Sequence, residues 1–307
     1  MERRRNSIAP IWYFFLLAQV GCSAWGQTTL EGTSPDSILA TFDNAVRVYT
    51  DIRNAIYVLD ESQATLTKLD SLGRMISVWG GPGSGDAELD EPADLDPTNG
   101  LSLVVADAGN RRVKRFSGEF MFLESLTLST EGQMSGVGDA GRPDVEPVML
   151  DEGRPIAVRV APDGGIFAID QDNAVIVKWG RDRRIERVFG GFGTGGGMLE
   201  DPVALALSED GHLYVADAGG GDLKIFDQFG TFEREIGSGR LEDVRSLKRT
   251  GSRILVVMPE RIAIYDVNGG YVRDLEIQTD EPIMDVALWR GNLLVLTRRT
   301  LRCLSLG

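Results

Sequence analysis

Leu199–Gly230 reads LEDPVALALSEDGHLYVADAGGGDLKIFDQFG, and Leu89–Phe116 reads LDEPADLDPTNGLSLVVADAGNRRVKRF. The two stretches share Leu-x-x-Pro and Val-Ala-Asp-Ala-Gly, with matching residues 110 positions apart. The same offset relates Ile56-Tyr57-Val58-Leu59-Asp60 to Ile166-Phe167-Ala168-Ile169-Asp170, and Trp79-Gly80-Gly81 to Phe189-Gly190-Gly191. Within each half, Asp60 and Asp107, like Asp170 and Asp217, stand 47 residues apart, so the unit is about 40–47 residues and is used twice per period.

Each unit has one grammar. An apolar strand (Val203–Leu207) leads through a turn (Asp210-Gly211) to a β-branched or aromatic strand ending in aspartate (Leu213–Asp217). A polar turn, an alternating strand (Leu223–Phe226), a glycine turn (Phe229-Gly230) and an outer strand (Thr231–Gly237) follow. Four short strands between tight turns, repeated, specify a β-propeller blade. Two weaker copies occupy Arg253–Ile277 and Ile283–Leu304, and the last lacks one strand. An open ring exposes unpaired strand edges, and Ser37–Phe42 (SILATF) is the segment available to close it. The expected fold is therefore all-β: a six-bladed β-propeller over 37–307 whose last blade is completed by an N-terminal strand.

The grammar resembles the NHL repeat, exported bacterial type. Blade four carries it best, in Leu199-Glu200-Asp201-Pro202, Asp210–Asp217 and Phe226-Asp227-Gln228-Phe229-Gly230; blade two adds Gly109-Asn110-Arg111-Arg112-Val113. In blades five and six Met258 and Thr297 replace the aspartate. The resemblance implies a six-bladed propeller and leaves function open, because the fold hosts many activities. Related propellers include zinc-dependent amidating lyases and calcium-dependent lactonases. The former need histidines, and this chain has one. The latter need carboxylates reaching the axis, for which Asp94, Asp243 and Asp285 are the metal candidates and Ca²⁺ the only cofactor in view.

Residues 1–26 read as a signal peptide: Arg3–Arg5, then the apolar run Ile11–Val20, then small residues. Gln19-Val20-Gly21-Cys22 resembles a lipobox, which makes Cys22 a lipidation candidate; cleavage after Ala24 or Gly26 is the alternative. Residues 27–36 form a linker. The expected location is exported: periplasmic, outer-membrane-anchored or extracellular, with membrane contact only through a lipid anchor. The whole chain has a net charge of −14, and without residues 1–26 it keeps 45 acidic against 29 basic residues. That balance argues against nucleic acid.

Several tempting residues have plain readings. Asp60, Asp107, Asp170 and Asp217 are expected to cap the turns that follow them. Gly191–Gly196 satisfies G-x-G-x-x-G, but no helix follows to bind a pyrophosphate. His212 starts a second strand and reads as a surface polar residue, Arg181–Arg184 as a solvated turn, and Asp94–Gly100, which hints at a calcium loop, aligns with a plain strand-to-strand turn. Cys303 reads as a small buried hydrophobe.

Propeller connectivity sorts the loops onto two faces. Inter-blade crossovers and the turns after second strands share one face; the remaining turns share the other. The crossover face collects Asp86, Glu88, Asp90, Glu91, Glu200, Asp201, Asp222, Glu242 and Asp243. The long acidic insert 127–152 adds Asp144, Glu146 and Asp151 to it. The chain has no G-x-S-x-G, histidine cluster or Cys–His pair in register. The reading is a non-enzymatic scaffold for a protein, peptide or glycan, with a cationic partner favoured; the alternative is a calcium-dependent hydrolase of lactonase type.

Overall fold

The computed structural model describes residues 37–97, 100–129, 152–193 and 195–305. Its 24 strands form six separate four-stranded sheets, and no helix occurs among the described residues. Blade one is β2 (Ala45–Thr50), β3 (Ile56–Asp60), β4 (Thr65–Leu69) and β5 (Met75–Gly80). Blade two is β6 (Pro92–Asp96), β7 (Ser102–Asp107), β8 (Arg112–Ser117) and β9 (Phe122–Thr127); blade three is β10 (Pro155–Val160), β11 (Ile166–Asp170), β12 (Val175–Trp179) and β13 (Ile185–Gly190). Blade four is β14 (Pro202–Leu207), β15 (Leu213–Asp217), β16 (Asp222–Phe226) and β17 (Phe232–Ile236); blade five is β18 (Ser246–Thr250), β19 (Arg253–Val257), β20 (Arg261–Asp266) and β21 (Tyr271–Glu276). Blade six orders β1 (Ser37–Thr41), β24 (Thr300–Leu304), β23 (Asn292–Leu296) and β22 (Asp285–Trp289). The chain is a six-bladed β-propeller closed by its N-terminal strand, as the repeat predicts. Residues 1–36, with Cys22, and Asp144, Glu146 and Asp151 of the insert lie outside the described residues.

The second strands are largely apolar on both sides because each sheet is sandwiched between two others. Ile56–Asp60, Ile166–Asp170 and Leu213–Asp217 are buried at every residue. The core therefore lies between blades. One cluster joins Val104, Ala106 and Val113 of blade two to Val158, Ile166 and Trp179 of blade three. Another joins Leu255, Val257 and Ile264 of blade five to Val286, Leu293 and Val295 of blade six. The largest spans the closure, with Leu294, Leu296 and Leu301 packed alongside blade-one and blade-two residues, and Leu39, Ala40 and Phe42 of the closing segment against it.

Blades one to four share two further devices. Each first strand carries a register shift after its first residue, at Ala45/Arg47, Pro92/Asp94, Pro155/Ala157 and Pro202/Ala204. Such bulges sharpen the local twist, and proline is tolerated there because the first residue of an edge strand need not donate. Asp60, Asp107 and Asp170 bind groups of the turns that follow them, and all four strand-end aspartates accept N–H groups from the crossover entering their blade. Asp60 binds the amides of Asp43 and Asn44, both at 3.0 Å. Asp107 takes Asp90 N–H at 2.7 Å, and Asp170 takes Arg154 N–H at 3.1 Å. Asp217 takes Glu200 N–H at 3.0 Å and Asp201 N–H at 2.7 Å, and pairs with Lys224 Nζ at 3.1 Å. The first and second strands of blades five and six pair without the shift. In blade six the Thr297 hydroxyl performs the capping, accepting from Thr300 N–H at 3.0 Å.

Asp217→Ala should therefore lower stability by about 3 kcal/mol, because it leaves two amides and one ammonium short of a buried acceptor. Thr297→Ala should cost about 1 kcal/mol, the worth of a neutral bond. Urea denaturation midpoints at constant slope check the ranking.

Candidate functional site

The first strands β2, β6, β10, β14, β18 and β22 line the axis, and alternate side chains on each point at it. Tyr49, Asp96, Arg159 and Ala206 hold one repeat position, opposite Tyr57, Val104, Phe167 and Tyr214 of the second strands. Polar residues on five of these strands meet in one buried network. Arg159 Nη1 donates to Asp94 Oδ2 at 2.6 Å, Tyr49 Oη to Asp94 Oδ1 at 3.1 Å, and Arg47 Nε lies 3.6 Å from the same carboxylate. Arg159 also donates to the Tyr49 hydroxyl, which joins blades one and three at residues separated by the repeat offset. On the other side Lys248 Nζ lies 3.1 Å from the Tyr49 ring centroid and 2.8 Å from Asp285 Oδ2. Ser246 Oγ donates to Asp285 Oδ1 at 2.5 Å. Blade four adds only Ala204 and Ala206 at these positions.

The network follows from the fold. A first strand is the inner edge of its sheet, so part of its backbone N–H groups have no strand to bind. Carboxylates from the neighbouring blade supply the acceptors. Asp94 takes Val158 N–H at 3.0 Å, Asp96 takes Val160 N–H at 2.8 Å, and Asp285 takes Val48 N–H at 2.9 Å. Buried carboxylates then require cations, and Arg47, Arg159 and Lys248 provide them. Among the described residues, Asp94, Asp96 and Asp285 thus stand at the axis with Arg47, Arg159 and Lys248.

Burial and pairing shift the ionisable groups in opposite directions. Burial pushes the Tyr49 hydroxyl well above its ordinary value. For Asp94 burial acts upward, but Arg159, Arg47 and Lys248 outweigh it and hold the carboxyl below the usual range. Lys248 is the exception among the cations: burial brings it down to about 8, and Asp285 offsets only part of that cost. Its folded value is thus below the ordinary lysine value of about 10.4 in the unfolded chain. Between those values the unfolded chain binds more protons, so this group's contribution to stability rises with pH from about 8 to about 10. Lys248→Met should remove that rise. The difference in unfolding free energy between wild type and variant, followed by denaturant titration across this window, should move in favour of the wild type as pH increases.

Sequence reasoning placed Asp94 and Asp285 near the axis and missed Tyr49, Arg159 and Lys248. The available signal was a charged or phenolic residue in an otherwise apolar first strand, at matching repeat positions. Asp243 does not join Asp94 and Asp285: it is exposed before β18 and pairs with Arg245 at 3.0 Å. This donor set does not suit Ca²⁺. Two of the three carboxylates are already neutralised by Arg159, Arg47 and Lys248, whose charges would face the ion.

The crossover face presents Asp86, Asp90, Glu200, Asp201 and Glu242 to solvent. Glu88 is exposed but folds onto its own loop, accepting Gly85 N–H at 2.8 Å, and Glu91 pairs with Arg154 at 3.0 Å. Asp222 departs from the expectation of a ligand-facing carboxylate. It is buried and holds Lys224 through both oxygens, at 2.9 and 3.0 Å, because the third strand's lysine needs a partner beside Asp217. The face's arginines are largely engaged: Arg111 with Asp172 and Arg112 with Asp107. His212 stands on the opposite face in the β14–β15 turn, between Asp210 at 3.2 Å and Glu233 at 3.4 Å. The Ser208 hydroxyl and His212 hold Asp210 down to about 2. Gly191 opens the crossover before β14, a strand, which agrees with rejecting a dinucleotide loop. Cys303 lies partly buried on β24, where burial pushes its thiol up.

The architecture belongs to the class of six-bladed β-propellers, and solved structures agree. A streptogramin B lyase aligns with a TM-score of 0.62 at 11% identity, over 92% of this chain and 100% of that one. A catalytically inactive virginiamycin B lyase variant from Staphylococcus aureus, with quinupristin, aligns at 0.58 and 11% identity, over 89% and 88%. A nidogen/laminin complex aligns at 0.60 and 12% identity, over 80% and 85%. No family model matches the chain, and no curated protein matches it in sequence. At these identities the likeness concerns the fold.

Proposed function

We propose that this propeller is an exported, non-enzymatic scaffold of NHL type that binds a cationic protein or peptide, or a glycan, on its crossover face at the cell envelope. The observation that carries the reading is the set of exposed carboxylates Asp86, Asp90, Glu200, Asp201 and Glu242 on one side of the ring. Clustered charge of one sign attracts an oppositely charged partner and fixes its orientation. The axis supports the same reading, since its polar groups are used on one another. The neighbours are consistent with it: one is a complex of nidogen with laminin, the other a lyase bound to quinupristin. That lyase variant, inactive through loss of a histidine, contrasts with a chain whose single histidine sits on the turn face. Export, through a signal peptide or through lipidation at Cys22, is part of the proposal and rests on residues 1–26.

Neutralising the five carboxylates together (Asp86→Asn, Asp90→Asn, Glu200→Gln, Asp201→Asn, Glu242→Gln) should abolish binding of a fluorescent lysine-rich peptide measured by anisotropy. Wild-type binding should weaken as salt is raised. Equal binding by both proteins overturns the reading. A melting temperature that climbs with added Ca²⁺ would favour the calcium-dependent hydrolase instead.

A further inference from the structure

The turn face carries a feature that the scaffold reading does not use. Ile52 and Leu72 on the two turns of blade one, and Leu101 and Met121 on the two turns of blade two, are 76%, 58%, 70% and 64% exposed. Turn tips ordinarily carry Gly, Asn, Asp or Ser, so four large apolar tips in adjacent blades form a patch that needs an occupant. The turns are physically continuous. Gly118 N–H donates to Leu101 O at 2.7 Å, Lys68 of blade one reaches Gly118 O at 3.3 Å, and Arg290 Nη1 of blade six reaches Ser71 O at 3.0 Å. Trp289 Nε1 donates to Asn54 O at 2.9 Å and ties blade six to the β2–β3 turn.

Formal charge at these tips is balanced, but the two arginines nearest the apolar tips, Arg53 and Arg290, are exposed and make no ion pair among the described residues. Asp51 is buried beneath its own turn, where it accepts from Arg53 N–H and Ala55 N–H, and Asp70 is engaged by its turn and by Arg74 at 2.7 Å. Glu119 is the exposed acid beside them. The chain also enters the ring here. β1 runs from this face to the crossover face, with Ser37 opposite Cys303 and Ile38 54% exposed at its start. The segment that precedes Ser37 thus meets the ring on this face.

We infer that the turn face of blades six, one and two docks on an anionic lipid surface, with Ile52, Leu72, Leu101 and Met121 entering the interfacial layer and Arg53 and Arg290 meeting lipid phosphates. Apolar tips bordered by arginines combine the two terms that hold a peripheral protein on a bilayer. This arrangement directs the acidic crossover face away from the membrane and towards solvent. It goes beyond a lipid anchor, because the folded domain itself supplies the contact.

All 24 strands lie between Ser37 and Leu304, so the chain starting at Gln27 contains the closed ring and serves as the test protein. It should co-sediment with phosphatidylcholine vesicles containing about one-third phosphatidylglycerol, and far less with phosphatidylcholine alone. Ile52→Ser, Leu72→Ser, Leu101→Ser and Met121→Ser combined should lower the partition coefficient by more than about a hundredfold. Arg53→Gln with Arg290→Gln should lower it by about thirtyfold. Phe192→Ser on the crossover face should leave it unchanged, as should the five carboxylate neutralisations, which separates this test from that of the scaffold reading. Failure of the wild type to sediment with anionic vesicles overturns the inference, as does equal sedimentation of the four-tip variant. Light scattering without vesicles completes the test: a wild-type dimer that the four-tip variant abolishes assigns the patch to a second copy of the chain and overturns the lipid proposal.

Discussion

Six twisted sheets with two apolar faces each can be dry only inside a closed ring, and the antiparallel pairing of β1 with β24 is the contact that closes this one. Ser37 to Thr41 add the fourth strand to blade six, and Leu39, Ala40 and Phe42 pack into the cluster shared by blades six, one and two. Without that seam the largest of the inter-blade cores would be open on one side, and two sheet edges would be free to pair elsewhere. The closure also joins the ends of the domain, so that a segment separated by more than the whole length of the repeat array becomes part of its last sheet.

Closure has a second consequence at the axis. Six inner edges converge there with backbone donors that the sheets themselves cannot satisfy. Asp94, Asp96 and Asp285 answer this by reaching across to the next blade, and Arg47, Arg159 and Lys248 pair with Asp94 and Asp285. Buried ion pairs of this kind add little stability over an apolar filling but are costly to break singly. Their position between blades lets them fix how the sheets meet. The strand-end aspartates perform the corresponding task at the rim by binding each incoming crossover.

The two faces are left with different chemistry. Crossovers carry exposed carboxylates, while the turns of blades six, one and two carry apolar tips and arginines. A ring gives every blade the same orientation, so any bias in loop composition adds up on one side instead of averaging out. That is how a repeat of ordinary blades acquires two distinct surfaces.

The amino-acid sequence alone determined the fold class, the blade count, the closing strand and the side on which each loop lies, because the 110-residue offset and the strand–turn grammar are local patterns repeated along the chain. It also identified Asp60, Asp107 and Asp170 as capping residues from their place at strand ends, whereas Asp217 binds the crossover and Lys224 instead of its own turn. Tertiary structure decided what those patterns cannot encode: that the same aspartates hold crossovers 16 or 17 residues earlier, that Asp222 turns inward to Lys224, and that Tyr49, Asp94, Arg159, Lys248 and Asp285 share one axis. Such partners come from different blades, as far apart as 237 residues for Val48 and Asp285. Their meeting is set by the geometry of a closed ring, which exists only after the sheets have packed.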